Sequence, residues 1–224
     1  MLIIVPADIL RLNYPPFERT YERAFGFLMR ESEKKHSNGV IWYIIGVIFV
    51  LSLYPVDVAV ISIMILAWAD TAASTFGRLW GSRTPPLPSR VPILGLPLAP
   101  RKSLAGFLAA SVTGAAIVFF FWSWLVPAVH GVDPAWDWTS GVSGPGVDHS
   151  SLGESVRAIL RYAGFSGFVT GGRVGLTIIS VVSGLVTGIA EALDLAQLDD
   201  NLTLPIISGG FIWGFLKLFS WFSS

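Results

Sequence analysis

An all-α, polytopic integral membrane bundle is the fold this sequence predicts, and three observations predict it. Of its 224 residues, 53% are apolar and only 13% are charged, a balance too apolar for an ordinary soluble domain. Five stretches, 39–54, 56–76, 103–129, 172–190 and 202–222, approach or reach the roughly 17 to 25 mainly apolar residues a helix needs to cross the hydrocarbon core. The cations gather between them: six of the 15 Lys and Arg lie in 11–35 and five in 78–102, where there is no acid. The expectation is one domain over 1–224, with about five full transmembrane helices and a partial one at the N-terminus.

Each element has its reason. Residues 1–10 are apolar but too few to span, and no basic residue precedes them, so they read as the end of a span or a surface anchor rather than a signal peptide. The stretch 39–54 is short for a span. Tyr54-Pro55-Val56-Asp57 reads as the tight turn into the next one. With that turn in place, both basic segments fall on one side, which the positive-inside rule makes cytoplasmic. The basic loop 77–102 is rich in proline over 85–100 and therefore extended rather than helical. Alternation then makes 130–171 a lumenal or exterior loop, with interfacial Trp136 and Trp138 and a surface helix over 151–168 that carries arginines. It returns 191–201 to the cytoplasm and leaves the C-terminus outside. There is no cysteine, so disulfides and thiolate ligands are excluded.

Asp70 is the residue that asks for a function. An acid inside a span costs about 2.5 to 3.5 kcal/mol on the insertion scale, so it is expected to hold a cation, a proton or a partner charge. At about 100° per residue, Ser74, Gly77 and Gly81 fall within about 40° of it, with Arg78 about 80° away. One helix face thus presents an acid, a hydroxyl and two bare backbone positions, with a guanidinium beside them. This span reaches the cytoplasmic side by its C-terminus, the negative end of the helix dipole, which suits a divalent cation such as Mg²⁺. The next span leaves by its N-terminus just after Arg101-Lys102-Ser103, where free backbone N–H groups suit phosphate. Gly106 lies on the face of Lys102 and begins a stripe of small residues, Ala109, Ala110, Thr113 and Gly114, suited to close helix packing.

A third cluster lies on the same side: Glu191, Asp194, Asp199 and Asp200 place four acids within ten residues. Asp200 or Asn201 would cap the last span, and the cluster could also supply a second metal-binding carboxylate. Each of these residues has a structural alternative. Asp70 could be neutralised by an arginine, the basic residues could only set topology, and the glycines could only pack helices. Asn201-Leu202-Thr203 matches a glycan acceptor, which a cytoplasmic position would leave unmodified. His36, His130 and His149 are isolated, and no Walker A, GxSxG or zinc signature is present. Nucleic acid is not an expected partner. The residues read together as a site for a metal-bound polyphosphate acting on something that lives in the bilayer.

The strings Asp70-x3-Ser74-x2-Gly77-Arg78-x2-Gly81, Lys102-Ser103-x2-Gly106 and Asp200-Asn201-Leu-Thr-Leu-Pro205 resemble the CTP-dependent lipid kinase family, which includes diacylglycerol, dolichol and phytol kinases. Arg30-Glu31, Asn38 to Gly46 and Glu191-Ala-Leu-Asp194 look most like the fungal diacylglycerol kinases of the endoplasmic reticulum and nuclear envelope. The resemblance implies phosphoryl transfer from CTP to diacylglycerol, with Mg²⁺ or Ca²⁺ as cofactor. It implies Asp70 as metal ligand or proton acceptor, Lys102 as a catalytic cation, and Ser74, Gly77, Arg78, Gly81, Ser103 and Gly106 around the nucleotide. Asp200 and Asn201 would complete the metal shell or shape the lipid entrance. The choice of CTP over ATP comes from the resemblance alone. The family normally begins further upstream, so a basic stretch and at least one more span are expected before the position of Met1. Dolichol or polyprenol kinase and phosphatidate cytidylyltransferase remain as rival enzymes, and a transporter or scaffold as a rival of another class.

Overall fold

A computed structural model describes residues 4–26, 38–92, 94–130, 136, 172–195 and 198–223. The expected surface helix over 151–168, the Arg30-Glu31 pair and nearly all of the 130–171 loop lie outside these residues. Among the described residues the regular structure is helical, with only isolated β-bridges within the α4–α5 connection and from it to Leu193.

Two short helices open the chain, α1 (Ile4–Asn13) and α2 (Pro15–Phe25). Pro15 and Pro16 sit in the first turn of α2, where a missing N–H goes unnoticed. Within α1 the charges face inward: Arg11 pairs with Asp8 at 2.7 Å while Ile9, Leu10 and Leu12 are exposed. The second Asp8 oxygen accepts the Asn38 N–H at 3.0 Å, which fastens α1 to the start of α3 (Gly39–Leu53). Asn38 in turn caps α3 by accepting the N–H of Val40 at 2.9 Å.

Among the described residues four helices are long and apolar enough to cross a membrane, Val56–Arg83, Leu104–Val129, Gly172–Ala192 and Asp200–Ser220, while α3 is a shorter apolar helix of 15 residues. At 1.5 Å per residue α3 reaches about 22 Å, less than the ~30 Å hydrocarbon core. The turn between α3 and α4 (Val56–Trp80) falls at Tyr54 and Pro55, as the sequence suggests. The ends differ elsewhere. α4 runs to Trp80, past the expected end at Phe76, so Gly77 and Arg78 belong to its last turn. The second long helix, α5 (Leu104–Phe120), passes through one π-helical stretch, Phe121–Leu125, into α6 (Val126–His130). α7 (Gly172–Ala192) and α8 (Asp200–Ser223) complete the bundle. α8 begins at Asp200 and carries Pro205 inside it. The carbonyl left unpaired by Pro205 is that of Asn201, and it lies against Gly46 of α3, where an added Cβ would sit 2.9 Å from it.

Small residues decide the packing, because between helices in lipid close approach replaces the hydrophobic drive. α5 and α7 pack over a long contact. A Cβ at Gly184 would come within 2.4 Å of the Ser111 carbonyl oxygen, and one at Gly188 within 3.0 Å of the Phe107 carbonyl oxygen. α4 packs on α5 and α8, and α3 rests more on α8 than on its hairpin partner α4. The core between them is built from Val58, Ile61, Ile65, Ile179, Leu204 and Ile212. The consequence for function is at one end of the bundle, where the starts of α3, α5 and α8 meet the ends of α4 and α7.

Candidate active site

The site is assembled from those five helix ends. Gly77 of α4 and Gly106 of α5 face each other, and a Cβ on Gly106 would lie 3.0 Å from the Ala73 carbonyl oxygen. One turn further along α4, a Cβ on Gly81 would lie 3.0 Å from Ser103 Oγ. Gly106 and Gly81 are therefore close-approach positions between helices. Gly77 is different, since a Cβ there meets only ordinary contacts, the nearest being Ser103 Oγ at 3.5 Å. Packing does not demand glycine at Gly77.

The start of α5 corrects one sequence expectation. Its N–H groups were expected to be free for phosphate, yet the chain itself takes them. Leu104 donates to the Pro85 carbonyl and Ala105 to Thr84 Oγ1, each at 3.3 Å. Gly106 donates to Ser103 Oγ at 3.3 Å and Phe107 to the Ser103 carbonyl at 3.0 Å. The reason is that residues 84–86 fold back along the helix start, with Pro86 bridging Ser103. Ser103 is the helix cap rather than a bare anion seat.

Lys102, immediately before that cap, points into the gap between α7 and α8. Its Nζ lies 2.5 Å from Glu191 Oε1 and 3.2 Å from Asp200 Oδ2. The Glu191 side chain is only 3% exposed, against 17% for Lys102 and 27% for Asp200. Burial disfavours the ammonium, but the two carboxylates outweigh it and hold the Lys102 pKa above the usual lysine value of 10.5. Arg101 Nη2 reaches Asp200 Oδ2 at 3.8 Å from an exposed position. Asp70 on α4 is half-buried and close enough to Glu191 for their charges to repel. Three carboxylates, Asp70, Glu191 and Asp200, thus share one end of the bundle with Lys102 and Arg101.

The remaining candidates stand around this centre. Ser74 is half-buried, its hydroxyl donating to the Thr71 carbonyl at 3.1 Å, and exposed Arg78 donates from Nε to the Ser74 carbonyl at 2.9 Å. Asn201 does not join the carboxylates through its amide N–H: Nδ2 donates to the Gly39 carbonyl at 3.4 Å, tying α8 to α3. Neither Asp200 nor Asn201 caps α8 in the structure. Asp199 does, its carbonyl accepting Leu202 and Thr203 and its side chain accepting Asn201 N–H at 2.9 Å, which leaves Asp200 for Lys102. Glu191 is the residue that the sequence undervalued. Its signal was an acid at the very end of an apolar span, on the side of Lys102. Among the described residues, no three His, Cys, Asp or Glu side chains stand together as a cation cage.

The chain is 34% identical over 218 residues, 97% of its length, to a CTP-dependent diacylglycerol kinase 1 of Saccharomyces cerevisiae. Its identity to the protein of the same name from Schizosaccharomyces pombe is 34% over 201 residues, which cover 71% of that relative. The chain belongs to this kinase family. A third relative of the same name, from Eremothecium gossypii, is 36% identical over 205 residues. The chain spans 62% of the first relative's length and 53% of the third's. No family model matches, and no solved structure matches. The aligned portion contains the whole acid and base cluster of this family member.

Proposed function

We propose that this chain transfers the terminal phosphoryl group of CTP to the hydroxyl of diacylglycerol, yielding phosphatidate and CDP, at the cytoplasmic face of the endoplasmic reticulum membrane and nuclear envelope. The observation that carries the reading is the joining of Asp70, Lys102, Glu191 and Asp200 at one end of a membrane bundle whose relatives are named for this reaction.

Phosphoryl transfer asks a protein mainly to position two reactants and to neutralise charge. Arg101 and Arg78 are exposed cations at the mouth and suit the triphosphate. Lys102 is already bound to two carboxylates, so its first task is to hold Glu191 and Asp200 in place. It meets phosphate as those carboxylates turn to a cation. Mg²⁺ commonly binds through one or two carboxylates together with substrate phosphates and water. Asp70, Glu191 and Asp200 fit that kind of shared site better than a closed cage. A bound Mg²⁺ or Ca²⁺ would neutralise charge on the transferring phosphoryl group. Asp70 either joins it or accepts the lipid hydroxyl proton.

The test uses detergent-purified protein with labelled CTP or ATP, and diacylglycerol or dolichol, with and without divalent metal. Labelled phosphatidate from CTP, metal and diacylglycerol is the expected product, and Asp70→Asn removes it without preventing membrane insertion. An Asp70→Asn protein that inserts and turns over normally takes the acid out of the mechanism.

A further inference from the structure

The connection from α4 to α5 carries a rigid tip. Arg90 bridges Pro97, Val91 N–H donates to the Leu96 carbonyl at 2.8 Å, and Leu98 N–H donates to the Ser89 carbonyl at 3.1 Å. Gly95 closes the turn: its N–H donates to the Val91 carbonyl at 2.9 Å, and its φ of +66° is one that glycine adopts without strain. The base of the tip is anchored at the end of α7, where Val91 and Leu98 are buried with Ala192 and Leu193 and Ala99 N–H donates to the Ala192 carbonyl at 2.9 Å. Its outer apolar side chains are uncovered. Leu94 is 64% exposed and Leu96 40%, on a backbone that is already fixed.

Depth and charge decide what covers them. The 25 residues of α4 rise about 37 Å, more than the ~30 Å hydrocarbon core, so with Val56 at one boundary the last turns stand at headgroup depth on the other side. Leu79 and Trp80 are exposed there, as interfacial side chains are. Leu94 is four residues from the anchored Leu98, so it lies within about 14 Å of that end of the bundle. The tip is at the membrane surface. Arg83 and Arg90 are exposed beside it, and residues 78–102 hold five bases and no acid. We propose that the tip inserts Leu94 and Leu96 into the leaflet on its own side of the membrane, with Arg83 and Arg90 on the anionic headgroups of that leaflet. Apolar side chains at the boundary of headgroups and acyl chains, flanked by cations, gain from both burial and surface charge. Because backbone pairing fixes the tip beforehand, insertion orders little additional chain. Lipid is already present at this depth, and the inference holds independently of phosphoryl transfer.

The chain has no cysteine, so Leu94→Cys in the full protein takes a single environment-sensitive fluorophore. The labelled protein is reconstituted in vesicles of phosphatidylcholine, alone or mixed with phosphatidylserine, each with and without brominated acyl chains. The expected result is blue-shifted emission that bromine quenches, with more quenching where phosphatidylserine is present. Leu96→Cys should report the same. Each cation near an anionic surface shifts such an equilibrium about fivefold, so Arg83→Gln combined with Arg90→Gln should remove at least about half of the gain from phosphatidylserine. A label open to aqueous iodide and untouched by bromine overturns the proposal. A label shielded from both quenchers overturns it too, because protein rather than lipid then covers the tip. Bromine quenching that ignores both phosphatidylserine and the arginines overturns the anionic leaflet as the occupant.

Discussion

Replacing Lys102 by methionine removes one charge, keeps much of the side-chain volume, and leaves Glu191 without its partner. Glu191 is 3% exposed and lies on the buried side of the pair, whereas Asp200, at 27%, can turn back to water. The cost therefore falls on Glu191. Breaking a buried ion pair from one side typically costs about 3 to 5 kcal/mol. The site lies at a membrane face rather than in the deepest interior, so about 3 kcal/mol is expected, roughly a hundredfold in the unfolding equilibrium. Glu191→Gln added to Lys102→Met removes the orphaned charge and should restore most of that loss. The assay is reversible unfolding by sodium dodecyl sulfate in mixed micelles, followed by tryptophan fluorescence. The expected order of stability is parent, then double variant, then Lys102→Met. A Lys102→Met protein within about 0.5 kcal/mol of the parent, the scatter of independent sites, would refute the idea that this pair holds the helix ends together.

The same pair sets a pH dependence. Because the folded-state pKa of Lys102 is raised, its contribution is complete below the ordinary lysine value of 10.5 and is lost as pH rises through the folded value. The stability gap between parent and Lys102→Met should stay level from neutral pH to just below that value and close above it; a gap that closes near neutral pH contradicts the assignment. Gly184→Ala and Gly188→Ala drive a methyl group into α5, while Gly214 has open space around it. The first two should each lose about 1 to 3 kcal/mol or more by overpacking, with Gly214→Ala close to neutral in the same unfolding assay. Gly77→Ala meets only ordinary contacts. It should fold normally and stay within about 0.5 kcal/mol of the parent in the same assay, and a loss as large as that of Gly184→Ala would contradict the spacing between α4 and α5 at this position.

Much of this arrangement was legible because it follows helical period. Gly77 and Gly81 share a face with Asp70 in any helix, and that face is the one that meets Gly106 and Ser103. The turn at Tyr54-Pro55 and the extended proline-rich connection were also local facts of residue chemistry. What the sequence hid depends on chain segments far apart. Lys102 meets Glu191 across 89 positions, which no periodicity connects. The fold-back of Thr84 and Pro85 onto the start of α5 consumes the N–H groups that looked free. At α8 three successive acids or amides competed for the cap, and Asp199 took it because Asp200 is drawn to Lys102. Asp70 was recognisable from its cost in a span, whereas Glu191 was one of four clustered acids, with nothing in the spacing to single it out as the partner of Lys102.

The most direct measurement follows two labels in parallel through purified protein, diacylglycerol and Mg²⁺, one on the γ-phosphate of CTP and one on the α-phosphate. The expected result is γ-label in phosphatidate, α-label retained in CDP, and neither in lipid when Asp70 is replaced by asparagine. Contradiction would be α-label entering lipid, or a folded, membrane-inserted protein that moves no γ-label to any lipid hydroxyl.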